Sequence, residues 1–306
     1  SLGGSECDVA FMTSDETGDV LTGKMNVPSS RPVGPTILLL HGLTGCEDST
    51  YMRESAKYHV SLGRAVVRAN LRGAGPSRSM AGGYYYMGGT SDIHDMLDGL
   101  EPGFTAQGIF VIGYSLGGNL LLNFLAEFRG EHPLIGAATV SAPIRPLEAC
   151  KRLLSTRNSV YHHFLLRRMK EQSLSPNARL SEHERLAIRS AKSLFEFDDE
   201  FTAPRHGYDG AEDYYAKTAG YQFVPELPVP TILIHARNDP WIPARPYDEL
   251  QQGRLDNAKI VVAPSGGHVG FHDRASPTPW HDRTINRFLE TISQRSTERI
   301  ESIAAG

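Results

Sequence analysis

Ser115 stands in a setting that points to covalent chemistry. The run Gly113-Tyr114-Ser115-Leu116-Gly117-Gly118 places glycines two positions before and two after a serine. Glycine at both flanks lets the backbone turn more tightly than any side chain would allow, so the serine can be held strained with its hydroxyl exposed. An apolar, β-branched run at 109–112 precedes the turn, and a helical apolar pattern at 116–128 follows it. Strand, tight turn and helix in that order is the context in which such a serine acts as a nucleophile. The helix start also offers free N–H groups and a positive dipole end, both suited to a developing oxyanion. The plain alternative is a strand-to-helix turn with a capping serine. A phosphate-binding turn fits less well, because the glycines do not follow G-x-G-x-x-G.

A serine hydroxyl is a weak nucleophile and needs a base that is itself held by a carboxylate. Behind a turn of this type the order along the chain is Ser, then Asp or Glu, then His. Asp239 lies in Ala236-Arg237-Asn238-Asp239-Pro240, just beyond an apolar run at 231–234. His268 lies in Pro264-Ser265-Gly266-Gly267-His268-Val269-Gly270, just beyond a second run at 259–263. Both fall at C-terminal strand ends, where open α/β sheets place their sites. His235, His272 and His281 are weaker candidates: the first sits inside a strand end, the others further along the loop and in the last helix.

These groups need a scaffold, and short apolar runs alternating with helical patterns supply one of class α/β with a mostly parallel, doubly wound sheet. Residues 8–13 and 20–27 read as an antiparallel hairpin. Strands are expected at 36–40, 65–69, 109–112, 134–140, 230–234 and 259–263, with helices at 48–62, 92–100, 116–128 and 280–294. The rhythm breaks over 144–222, where helical patterns continue without a convincing strand. Because the rhythm resumes afterwards and no long linker flanks the break, this stretch is expected to be a helical cap insertion on a single domain, 1–306.

Further pieces complete the picture: His41-Gly42-Leu43-Thr44-Gly45, Asn70-Leu71-Arg72-Gly73, Val140-Ser141-Ala142-Pro143, Phe197-Asp198-Asp199, Asp213-Tyr214-Tyr215 and Gly266-Gly267-His268-Val269-Gly270-Phe271. With the serine turn, they resemble the α/β-hydrolase superfamily over residues 8–294. Within it they resemble the YheT-like branch, which includes yeast medium-chain ethyl-ester synthase/esterases and plant embryogenesis-associated proteins. The resemblance implies the α/β-hydrolase fold and a Ser115-Asp239-His268 triad, with the backbone N–H groups of Leu43 and Leu116 as oxyanion donors. It implies hydrolysis of short- to medium-chain carboxylic esters through an acyl-enzyme on Ser115. Acyl transfer to an alcohol by the same intermediate is the alternative, and a non-catalytic relative that uses the pocket for binding is another. Asn238 departs from the branch, where a second Asp is common, and leaves Asp239 as the sole triad acid. The 197–215 stretch is expected to dock the cap on the sheet domain through carboxylate–hydroxyl and carboxylate–Arg contacts. The loop Gly82-Gly83-Tyr84-Tyr85-Tyr86-Met87-Gly88-Gly89 is expected either to pack on itself or to rim an acyl pocket.

The resemblance implies a small-molecule ester as the partner, and composition argues against nucleic-acid and membrane classes. Lys plus Arg is 31 and Asp plus Glu 35, a net charge of −4, without the concentrated positive face that nucleic acid requires. Hydrophobic residues are 40% and charged residues 22%, as in an ordinary globular chain. No apolar run approaches the length of a membrane span, so no transmembrane anchor is expected, and the location expected is cytoplasmic. Cys7, Cys46 and Cys150 are too few and too scattered for a disulfide framework. No cofactor and no metal is expected. The adjacent His162 and His163 diverge on a helix, and His94 with Asp92 and Asp95 reads as a solvated helix start.

Overall fold

The computed structural model describes residues 2–304, with side chains through residue 294. Among these, eight strands form one sheet: β1 (Ser5–Met12), β2 (Val20–Val27), β3 (Thr36–Leu40), β4 (Val66–Ala69), β5 (Ile109–Tyr114), β6 (Leu134–Val140), β7 (Thr231–Ala236) and β8 (Ala258–Ala263). Their spatial order is β1-β2-β4-β3-β5-β6-β7-β8. β2 pairs antiparallel with both β1 and β4, and every other pair is parallel. The chain is therefore α/β with a mostly parallel sheet, and β3, β5, β6 and β7 present their C-terminal ends along one edge.

Helices α1 (Thr50–Ser61), α2 (Thr90–Asp98), α3 (Pro102–Thr105) and α4 (Leu116–Glu127) alternate with the strands. Between β6 and β7 come α5 (Pro146–Leu153), α6 (Ser159–Ser173), α7 (Glu182–Ser190), α8 (Leu194–Phe197), α9 (Ala203–Arg205) and α10 (Ala211–Lys217). Then follow α11 (Arg245–Gln251) and α12 (Trp280–Ala304). None of these helices is long and apolar enough, over the described residues, to cross a membrane.

Successive residues of a strand point to opposite faces, and both faces of this sheet are covered. Leu38 and Leu40 pack with Leu97, Leu120 and Tyr247, from α2, α4 and α11. Ile37 and Leu39 pack on the other face with Met52, Ala56, Ile285 and Leu289, from α1 and α12. All five residues of β3 are buried, which is why its sequence reads as a continuous apolar run. A third cluster, around Leu165, Met169, Phe197 and Tyr214, belongs mainly to the helices between β6 and β7.

Two expectations need correction, and one helix, α11, had no expectation attached to it. Helix α11 has no long apolar period; it forms where Pro246 starts the helix and Tyr247 and Leu250 can be buried. The start of α2 is not a solvated face. Asp92 accepts from Arg72 Nε at 3.0 Å, and Asp95 accepts the Ser14 N–H at 3.0 Å. Both carboxylates are buried against partners remote in sequence. The 197–215 stretch also does not dock on the sheet domain through its carboxylates: Asp198 accepts from Tyr215 at 2.6 Å and Asp199 from the Ala211 N–H at 2.7 Å, both within the insertion. Within the stretch, Tyr214 reaches out by accepting the Met87 N–H; elsewhere in 144–222, Arg179 pairs with Asp19 and Arg152 donates to the carbonyls of Asp239 and Pro240.

Candidate active site

β5 ends at Tyr114 and α4 begins at Leu116, so Ser115 alone turns the chain. Its φ of 50° and ψ of −121° are a strained geometry for a residue with a side chain, costing on the order of 1–3 kcal/mol. The neighbouring glycines are required by contact. A Cβ on Gly113 would lie 2.5 Å from the Gly117 carbonyl oxygen, and one on Gly117 would lie 2.5 Å from that of His41.

The turn delivers the Ser115 hydroxyl to His268. Ser115 Oγ and His268 Nε2 are 3.0 Å apart, and His268 Nδ1 is 2.9 Å from Asp239 Oδ2. The second carboxylate oxygen, Asp239 Oδ1, accepts the N–H groups of Trp241 at 2.8 Å and Ile242 at 3.0 Å. Burial alone would raise the Asp239 pKa; the His268 hydrogen bond and charge, with these two N–H groups, outweigh it and hold the carboxyl below its ordinary value. Three residues remote in sequence thus form one continuous hydrogen-bonded line from a fully buried carboxylate to a partly exposed hydroxyl.

Leu43 and Leu116, the residues expected to supply the oxyanion donors, line the same cavity as Ser115. Leu116 is the first residue of α4, where an N–H has no intrahelical acceptor. Leu43 lies in the loop after β3, where the N–H groups on either side are taken: Gly42 donates to Tyr51 Oη and Thr44 to Tyr85 Oη. A Cβ on Gly42 would meet the Ser115 Cβ at 2.9 Å, so this loop passes directly over the Ser115 turn. His41 braces it from below: its Nε2 accepts the Leu71 N–H and its Nδ1 lies 2.8 Å from the Gly42 carbonyl. Burial lowers the His41 pKa to about 4, so it is a neutral strut.

Residues 35–275 match the family described as alpha/beta hydrolase fold. The chain belongs to the α/β-hydrolase family. An embryogenesis-associated protein of Picea glauca is 26% identical over 308 residues, covering 97% of this chain and 66% of the relative. The YheT protein of Escherichia coli is 29% identical over 270 residues, covering 86% of this chain and 79% of the relative. Both agree with the YheT-like branch. The chain spans about two thirds of the length of the Picea relative. Among solved structures, an esterase of Pyrococcus furiosus superposes with a TM-score of 0.65 at 19% identity, covering 95% of this chain and 92% of that one, a likeness of fold.

The other histidines of this α/β-hydrolase have different surroundings. His235 stacks flat on Tyr247 at 4.3 Å and lies 3.2 Å from the Ile242 carbonyl; burial lowers its pKa to about 4. His281 is buried beside Asp282 at the start of α12, and His272 is exposed. Several residues that matter to the site carried no signal of their own in the sequence. Asn238 Oδ1 accepts the N–H groups of Gly266 and Gly267, both at 3.0 Å, and so ties the Asp239 loop to the His268 loop. Trp241 lays its ring 4.4 Å from that of His268. The departure at Asn238 was the one available hint, since an amide oxygen and a carboxylate both accept from two N–H groups.

A cavity of about 430 Å³ opens at Ser115 and His268. Leu43, Leu116, Tyr84 and Met87 line it from the sheet side; Leu153, Leu165 and Met169 line it from α5 and α6. Tyr84 and Tyr85 are buried and also line the cavity, so the tyrosine loop both packs and walls the pocket. Asp198 lies in the same wall, where burial raises its pKa to about 6 despite the Tyr215 hydrogen bond.

Proposed function

We propose that the chain is a serine carboxylesterase acting on short- to medium-chain carboxylic esters. The observation that carries this reading is the Ser115-His268-Asp239 line, 3.0 and 2.9 Å per link, opening into a mostly apolar cavity of about 430 Å³. That volume lies in the range of small-ligand sites. The YheT relative of Escherichia coli, named as an esterase, agrees with it.

His268 Nε2 takes the Ser115 proton as Oγ attacks the ester carbonyl carbon. The carbonyl oxygen becomes an oxyanion and takes hydrogen bonds from the Leu43 and Leu116 N–H groups. Asp239 keeps Nδ1 protonated and stabilises the imidazolium. Collapse expels the alkoxide, which leaves with the proton from His268, and an ester remains on Ser115. Water then enters, gives a proton to His268 and attacks the acyl carbon; the acid departs and Ser115 regains its proton. The helices over 144–222 serve as a cap on a single domain and shape the acyl pocket through Leu153, Leu165 and Met169.

A series of p-nitrophenyl esters of rising chain length, run with Ser115→Ala beside the wild type, tests the proposal. Turnover that peaks within the series and vanishes in the variant supports it; equal turnover in the variant overturns it. Titrating ethanol into the same assay separates hydrolysis from acyl transfer, because only transfer yields an ethyl ester.

A further inference from the structure

The helices between β6 and β7 carry a surface that neither the Ser115-His268-Asp239 line nor the cavity walls explain. α6 buries His162, Leu165, Leu166 and Met169 on its inner side. Its outer side should then be polar. Instead Val160, Tyr161 and Phe164 stand 78%, 52% and 58% exposed, and Leu154, just past the end of α5, is exposed beside them in sequence. Val160 and Phe164 are one helical turn apart, so they share a face. Apolar side chains exposed singly are ordinary, but a contiguous group marks a contact surface.

The charge around this patch is one-sided. The chain as a whole carries −4, yet residues 149–170 hold six Lys and Arg and no Asp or Glu. Lys151, Arg157 and Arg168 are exposed, and none of the three makes an ion pair or a hydrogen bond among the described residues. Arg167, by contrast, is matched by Glu171 one turn on. Arg157 comes three residues before Val160, and Arg168 four residues after Phe164. Unpaired cations thus stand at both ends of the apolar stripe.

We propose that this face docks on an anionic lipid surface. Val160 and Phe164 enter the boundary between headgroups and acyl chains, and Lys151, Arg157 and Arg168 meet the lipid phosphates. Apolar insertion combined with cationic attraction is what holds a protein on such a surface without spanning it. A second copy of the chain fits worse, because an isologous pairing presses one cation-rich patch on another. The patch is also continuous with the cavity. Phe164 and Arg168 line it, and Tyr161 packs on Trp241, whose ring lies against that of His268. A docked protein therefore turns the open side of its cavity to the bilayer, and an ester dissolved in lipid reaches Ser115 without crossing water. Delivery of the ester rests on the esterase reading; docking does not.

The test is co-sedimentation of the full chain with vesicles of phosphatidylglycerol, with phosphatidylcholine vesicles as the uncharged control. The wild type should bind the anionic vesicles more tightly, and salt at about 1 M should weaken that binding, because it screens charges beyond about 3 Å. Lys151→Gln combined with Arg157→Gln removes two cations, each worth about fivefold near an anionic surface, so affinity should fall about 25-fold. Val160→Ser should weaken binding about tenfold by removing inserted apolar surface. None of these three residues lines the cavity, so turnover of water-soluble p-nitrophenyl acetate should match the wild type, and melting confirms folding. Ser115→Ala should bind vesicles like the wild type, so a failure of the esterase reading is distinguishable from a failure of docking. No binding of the wild type to phosphatidylglycerol vesicles, equal affinity for the two kinds of vesicle, or unchanged affinity in either folded variant overturns the proposal. So does self-association of the wild type that Val160→Ser abolishes, which gives the face to a second copy.

Discussion

Replacing Asp239 with Asn removes the negative charge and keeps the shape. The hydrogen bonds decide which way the new amide faces. Asp239 Oδ1 accepts two backbone N–H groups, from Trp241 and Ile242, at 2.8 and 3.0 Å. An NH₂ cannot face two donors, so the Asn oxygen must stay there and the NH₂ must point to His268 Nδ1. That nitrogen then has to accept rather than donate. The imidazole proton moves to Nε2, which lies 3.0 Å from Ser115 Oγ. In that tautomer His268 presents a proton to the serine and cannot take one from it. The expected loss is about 10⁴-fold in kcat, or about 5.4 kcal/mol at 1.36 kcal/mol per decade. KM should change little, because Asp239 does not line the cavity. The assay is steady-state p-nitrophenyl ester hydrolysis at saturating substrate, with thermal melting to confirm folding. A folded Asp239→Asn enzyme within tenfold of wild-type kcat would refute the tautomer argument.

Two further predictions concern stability. Arg72 bridges Asp19 and Asp92 with its side chain 10% exposed and theirs 1% and 5%; Arg72→Met should cost about 3–5 kcal/mol by leaving the buried Asp92 carboxylate unpaired, while Asp19 keeps Arg179. The same change at Arg53, whose pair with Asp48 is half exposed on both sides, should cost about 0–1 kcal/mol; equal urea midpoints for the two variants would contradict this. Acid should also destabilise the protein. Burial lowers His41, His206 and His235 from 6.5 to about 4 and His59 to about 3. Their folded values lie below the unfolded one, so their stabilisation is full above about pH 6.5 and is lost as pH falls toward about 4. Asp198, raised to about 6 by burial, acts in the opposite sense and is outnumbered. Denaturant midpoints should therefore fall on going from neutral pH to pH 5; a flat or rising profile sinks the argument.

The parts of the molecule legible in the sequence are those fixed by local sterics and by period. β3 and β6 read as apolar runs with the bounds they have in the structure. The Ser115 turn was legible because only glycine fits at 113 and 117. The order Ser115, Asp239, His268 followed from strand ends, and the structure brings the three side chains together. What stayed hidden depends on partners far along the chain. Asp92 and Asp95 looked solvated because their burial comes from Arg72 and Ser14, 20 and 81 residues away. Asp198 looked like a docking group because nothing local shows that Tyr215 takes it within the insertion. Helix α11 owes its existence to a core it completes rather than to a pattern of its own. The role of Asn238 appears only once two loops from different strands meet.

The central claim is that Ser115 is an activated nucleophile. The most direct test is reaction with a fluorophosphonate probe, followed by peptide mass spectrometry. One phosphonyl adduct per chain is expected, located on Ser115, absent in Ser115→Ala and slowed by orders of magnitude in Asp239→Asn. No adduct on folded wild-type protein, or an adduct on another residue that persists in Ser115→Ala, would contradict it.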